Sequence, residues 1–196
     1  MSIPEKKIIS APDLKSFFFE SLNQINQKSL CPLPQETIYY STLVLDRFAL
    51  SEQFFELNEG KLREKILGLK FLEAGMLDHT AQPRSYQEIG DMSLIVCGYF
   101  SESVNRKILD LSYYAKIGKM AYSTLDNYVP RFLEIPGFYK ILSTTFEPLT
   151  ILLGMLAKEN RSGDARLEIF QKVLADQATE AEQLSAGILP TEKKVS

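Results

Sequence analysis

Apolar residues recur at spacings of three and four along most of this chain, and no stretch alternates apolar with polar long enough to demand a strand. Leu14, Phe17, Phe18, Leu22 and Ile25 predict a first helix, capped by Asp13 and running through Lys28. Pro32 and Pro34 block its continuation. A second helix spans Gln35 to Phe55, with Ile38, Leu45, Phe48 and Phe55 on one face. Leu43 and Val44 widen that face, so the helix buries more than one side. Asn58 caps a third helix, Gly60 to Asp78, whose core positions are Ile66, Leu69, Phe71, Leu72 and Met76, and His79 ends it. Ser85-x-x-Glu88 reads as a capping box for a fourth helix that extends to about Arg106. Ser112 caps a fifth, Tyr113 to Tyr128, closed by Pro130. After the Pro136-Gly137 turn, Phe138 to about Glu159 is helical. Pro148 either kinks that segment or separates two short helices. Leu167, Phe170, Val173 and Leu174 mark a last amphipathic helix, Asp164 to Gln177.

The pattern predicts an all-α single globular domain of about seven helices. It occupies residues 12–178, between a flexible arm at 1–11 and a loose tail at 179–196. The predicted core includes Leu45, Phe48, Leu69, Leu72, Leu94, Val96 and Phe100. Three glycines, Gly90, Gly98 and Gly118, stand inside predicted helices, where each costs about 1 kcal/mol against alanine. Their expected use is close helix–helix packing, with the segment from Arg84 to Tyr122 at the centre of the fold.

Composition narrows the function mostly by exclusion. A net charge of −3 gives no basic footprint for nucleic acid or anionic lipid. No apolar run reaches the roughly 18 residues of a membrane span, and MSIPEKKIIS lacks the apolar stretch of a secretory signal. A cytoplasmic protein is expected, brought to the inner face of a membrane only by a partner. A di-iron carboxylate bundle needs two Glu-x-x-His motifs, and the chain has one histidine. Cys31, Cys97 and His79 give too few ligands for the usual zinc sites, so no metal and no cofactor is expected. Phosphate-loop, dinucleotide and Gly-x-Ser-x-Gly motifs do not occur.

Two constellations remain. Cys97 with Asp78-His79 could form a thiol catalytic set, against the plainer reading of Cys97 in LIVCGYF as a small buried hydrophobe and His79 as a helix C-terminal residue. Asp91 could orient a ligand or a partner's donor, or be an acid of the first turns favoured by the helix dipole, or a buried acid tied to Arg106, Lys116 or Lys119. Asp91, Tyr99, Glu102, Asp110, Tyr113 and Tyr122 together read as a partner-binding surface of aromatic anchors and acids, suited to a basic amphipathic segment. The leading expectation is a non-enzymatic interaction adaptor. The alternative is a small-ligand-binding or hydrolytic helical protein using the region around Asp91.

The spacing Gly90-Asp91-x-x-Leu94, Gly98-x-Phe100, Tyr113-Tyr114, Gly118 and Ala121-Tyr122 resembles that of a group of largely uncharacterised bacterial all-helical proteins. Size, acidic character and the usage of lysine, isoleucine and glutamine also resemble the LvgA-like adaptors of the Dot/Icm type IV secretion coupling complex. That resemblance implies a virulence-associated role in effector recruitment without catalysis. The partners it implies are the C-terminal segment of the coupling ATPase and the IcmS–IcmW chaperone pair.

Overall fold

The computed structural model describes residues 11–49, 65–101 and 110–161. Seven helices lie among them, in one all-α domain: α1 (Ala11–Gln27), α2 (Gln35–Ala49), α3 (Lys65–Ala74), α4 (Gln82–Cys97), α5 (Leu111–Leu125), α6 (Phe138–Thr144) and α7 (Phe146–Arg161). Residues 1–10 of the arm, the tail, the helix expected at Asp164–Gln177 and the stretch from Ser51 to Phe55 fall outside the described residues, while Ala11, the arm's last residue, opens α1. So do Asn58 and the start of the third predicted helix. No single described helix is long and apolar enough to cross a membrane.

The pair α4 and α5 is the most extensive contact in the fold, as the glycines suggest. A Cβ at Gly90 would stand 2.6 Å from the Tyr122 ring. One at Gly118 would stand 2.6 Å from the Phe146 ring and 2.7 Å from the Ser93 Cβ. Neither position has room for a methyl group, so backbone meets side chain directly at both. Gly98 lies just past the end of α4, and a Cβ there would meet Leu153 of α7 at 2.7 Å. Around this pair, α1 packs on α2 and α7, α3 on α4, and α6 on α5.

Several boundaries differ from expectation for local chemical reasons. Helix α1 starts at Ala11, which puts Asp13 inside its first turn. Helix α3 ends at Ala74, five residues before His79, so His79 does not terminate it. The end of α3 is instead tied down by Gln82, whose Nε2 donates to the carbonyls of Leu77 at 2.8 Å and Gly75 at 3.4 Å. Helix α4 then begins at Gln82 with Pro83 in its first turn, where a missing N–H costs nothing. Ser85 is therefore inside the helix, and Glu88 pairs with Arg84 one turn back rather than closing a capping box. The helix stops at Cys97 and not near Arg106; the Gly98 N–H still reaches the Leu94 carbonyl, and the chain then turns. The cap of α5 is Asp110, not Ser112. Its carboxylate accepts from the backbone N–H of Ser112 and Tyr113, and from the Ser112 hydroxyl at 2.7 Å.

Leu69 and Leu72 are not core: they are 57% and 65% exposed. Helix α3 is apolar on nearly every side, so spacing alone offers two faces to bury. The buried one carries Leu67, Phe71 and Ala74. Gly68 helps decide this, because its bare backbone admits the Tyr113 hydroxyl, which would lie 2.1 Å from a Cβ. Leu45, Phe48, Leu94, Val96 and Phe100 are buried as expected.

A two-residue antiparallel pairing, β1 (Arg131–Phe132) with β2 (Ile135–Pro136), joins α5 to α6 and is too short for any alternation to announce. Leu133 and Glu134 both hold positive φ in its turn, a conformation that β-carbons disfavour. The Phe138–Glu159 segment is two helices bent by 72°, with the break at Thr145. Pro148 sits harmlessly in the first turn of α7.

Candidate functional site

Asp91 is the polar centre of the fold. It projects from α4 beside Gly90, and its carboxylate is 1% exposed. The two residues act as a unit: the missing Cβ at Gly90 lets the Tyr122 ring of α5 lie flat against α4. That approach brings the Tyr122 hydroxyl to Asp91, donating to Oδ1 at 2.8 Å. Tyr40 of α2 donates to the same oxygen at 2.8 Å, and Gln87, one turn before Asp91, donates to the Tyr40 oxygen at 3.2 Å. Arg47, two turns beyond Tyr40 on the same face of α2, pairs with Oδ2. Phe132, Phe138 and Tyr139 crowd edge-on against the Tyr40 ring and keep the cluster dry on that side.

Burial pushes the Asp91 carboxyl above the usual range, against the pull of Arg47 and the two hydroxyls. Partial burial works against the Arg47 charge, but Asp91 outweighs it, and the guanidinium is held above its ordinary value. Tyr40 and Tyr122 are pushed well above the ordinary phenol range by burial and then by the negative charge of Asp91. Tyr139 is pushed up to about 12 by the same two causes in the same order. All three phenols keep their protons at physiological pH, and those of Tyr40 and Tyr122 are fixed donors to Asp91. With three donors on a buried carboxylate, Asp91 is a structural acceptor and not a base open to substrate.

The cation expected for Asp91 was Arg106, Lys116 or Lys119, and it is Arg47. Lys119 pairs with Glu147 at 2.7 Å, Lys116 points outward, and Arg106 lies outside the described residues. Sequence reasoning missed Arg47 and Tyr40. Their signal is a tyrosine and an arginine seven apart on a helix that is otherwise apolar round most of its girth.

The six residues expected to form one partner-binding surface do not do so. Asp91, Tyr99 and Tyr122 are 1%, 7% and 0% exposed, out of reach of any partner. Their hydroxyls and rings serve the core, because two or three helices converge where the glycines remove bulk. Tyr113 is 42% exposed and leans over Gly68, Asp110 is spent as a helix cap, and Glu102 is outside the described residues. The thiol set also fails. Burial pushes the Cys97 thiol up to about 12, and its Sγ donates to the Leu111 carbonyl at 3.5 Å. His79 is exposed, with its ring 6.5 Å from that of Tyr128. Among the described residues, no group of three or more His, Cys, Asp and Glu side chains could hold a metal ion.

Among the described residues, two concave regions stand above this interior. A cavity of about 990 Å³ lies between α2, α3 and α4, over the Arg47–Asp91 pair. An apolar groove of about 360 Å³ lies between the α1–α2 turn and α7, lined by Ile25, Leu33, Pro148, Ile151, Leu152 and Met155. No family model, no curated protein and no solved structure matches this chain.

Proposed function

We propose that this protein is an interaction domain that holds an amphipathic helix of a partner protein and catalyses nothing. The groove beside α7 carries the reading. Ile151 and Met155, one helical turn apart, are 65% and 48% exposed, and Leu30 on the adjoining turn is fully exposed. Large side chains left in water at i and i+4 along a concave apolar surface suit the groove side of helix-in-groove recognition, where the incoming helix lays its own apolar anchors. The opposite wall is pre-organised. Asn26 is buried, and its amide group both donates to the Leu33 carbonyl at 3.0 Å and accepts the Leu33 N–H at 2.8 Å. A wall that is already ordered lowers the entropy cost of docking. The chain's net charge of −3 favours a basic polar face on the incoming helix, chiefly through the on-rate.

The finer reading rests on the resemblance alone. It makes the protein a subunit of a bacterial type IV secretion coupling complex, held at the inner face of the membrane by the coupling ATPase's C-terminal segment. There it helps the IcmS–IcmW pair to recruit effectors.

The test begins with a photo-crosslinking residue at Ile151 in the native host. The captured partner's helix is then made as a peptide and titrated against the purified protein. Ile151→Asp and Met155→Asp should each weaken that helix at least tenfold while melting stays unchanged. Equal binding by the variants, or unfolding caused by them, would refute the groove as a docking site.

A further inference from the structure

We propose that the cavity between α2, α3 and α4 binds a free monocarboxylate with an aliphatic body, its head on Arg47. The Arg47 side chain is 52% exposed at the cavity while Asp91 beneath it is sealed off. A guanidinium carries five N–H donors in one plane, and the contact to Asp91 uses Nη2. The buried carboxylate thus fixes that plane and leaves its other edge for a second carboxylate, with little further ordering cost. Lys70 adds a positive charge from α3, and no ion pair holds it among the described residues.

The same cavity argues for the ligand's charge and shape. Glu73, three residues from Lys70, faces it, as does Glu88 on α4, which is paired with Arg84. The Glu73 carboxylate repels a doubly charged phosphate more than a singly charged carboxylate. Leu67, Ile89 and Met92 supply apolar wall, which a small wet anion such as acetate would leave unused. Each methylene buried there should tighten binding about fourfold, the equivalent of about 0.8 kcal/mol. The inference is independent of the α7 groove, and either can fail without the other.

Calorimetric titration of the full chain tests it, with octanoate, butyrate, octanol and octyl phosphate as probes. Octanoate should bind at least tenfold more tightly than each of the others. Lys70→Gln should weaken octanoate several-fold, and Arg47→Lys, which keeps a charge over Asp91, should weaken it more. Chemical-shift changes in the protein's NMR spectrum should centre on Arg47, Lys70 and Met92. Octanol matching octanoate would overturn the proposal, as would no octanoate binding at millimolar concentration or indifference to both substitutions. A leucine-terminated peptide is the control for source. If it binds more tightly than octanoate with its terminus free, and not when amidated, the site belongs to a peptide terminus and the free-ligand proposal fails.

Discussion

Gly118→Ala and Gly154→Ala form a matched pair that isolates the cost of close packing. Both glycines lie inside helices, α5 and α7, so both substitutions gain the same helix propensity, up to about 1 kcal/mol. Their surroundings differ. A Cβ at Gly154 meets nothing nearer than the Gly98 carbonyl oxygen at 3.6 Å, an ordinary contact. A Cβ at Gly118 meets two Phe146 ring carbons at 2.6 Å and the Ser93 Cβ at 2.7 Å. Phe146 and Ser93 are both 0% exposed, so neither can swing into solvent to make room. Overpacking of this kind costs about 1–3 kcal/mol. The propensity gains cancel in the difference, so Gly154→Ala should be more stable than Gly118→Ala by about 1–3 kcal/mol. Against wild type, Gly154→Ala should gain stability and Gly118→Ala should lose it. At this chain length each kcal/mol corresponds to about 2–4 °C in Tm. Urea titrations with unchanged m-values give the free energies directly. Equal stability of the two variants, or a more stable Gly118→Ala, would show that the α4–α5 interface yields without cost and that the glycine has another purpose.

The buried network has a pH signature of its own. The Asp91 carboxyl lies higher folded than unfolded, so its contribution is fully present below about pH 4 and is lost as pH rises through the raised value. Arg47→Met raises that value further, so the variant's loss of stability should be larger at pH 7 than at pH 4.5. With Arg47 half exposed, the loss should stay below the roughly 3–5 kcal/mol of a fully buried pair, and a loss independent of pH in urea titrations would contradict the assignment. Tyr99→Ala and Tyr122→Ala should each destabilise by about 3–5 kcal/mol, since both rings are core; unchanged melting by circular dichroism would restore them to a surface role. Cys31 should react with a thiol reagent at pH 8, while Cys97, partly buried and pushed up to about 12, should react far more slowly until the chain unfolds; mass spectrometry of the labelled chain counts the sites.

The fold class was legible because the apolar period of α1, α2 and α5 is long and unambiguous. So was a break near Pro148, although it falls at Thr145 and leaves Pro148 in the first turn of α7. Helix ends were less legible, and Gln82 shows why. Its side chain reaches backward to the end of α3, a tertiary contact that no capping rule contains. The face of α3 was illegible from spacing because Leu67 and Leu69 are equally apolar, and the choice depends on how Tyr113 meets Gly68. At the candidate site, the Gly90-Asp91 dipeptide was visible as unusual, yet its partners were not. Asp91 lies 44 residues from Arg47 and 51 from Tyr40, and only the docking of α2 on α4 brings them together.

Of the tyrosines that looked like a binding surface, Tyr122 satisfies the acid that looked like a ligand site, with Tyr40 beside it, and this shifts where function can reside. A buried charge with three donors is a poor source of stability, because its desolvation offsets much of the attraction. Its value is geometric. Oδ1 accepts from helices α2 and α5 while the carboxylate belongs to α4, so any slip of one helix against another by a turn would strand a buried polar group. Gly90 enforces the same register through shape, since only Tyr122 in this position fills the space its missing Cβ leaves. With the register of three helices fixed from within, chemistry that could meet another molecule is confined to their outer margins. Those margins carry the outward edge of Arg47 over the α2–α3–α4 cavity, and outside the three helices Ile151 and Met155 lie exposed along α7. The occupants proposed for them are a monocarboxylate and an amphipathic helix, and the octanoate titration and the α7 substitutions test the two separately, because the two surfaces share no lining residue.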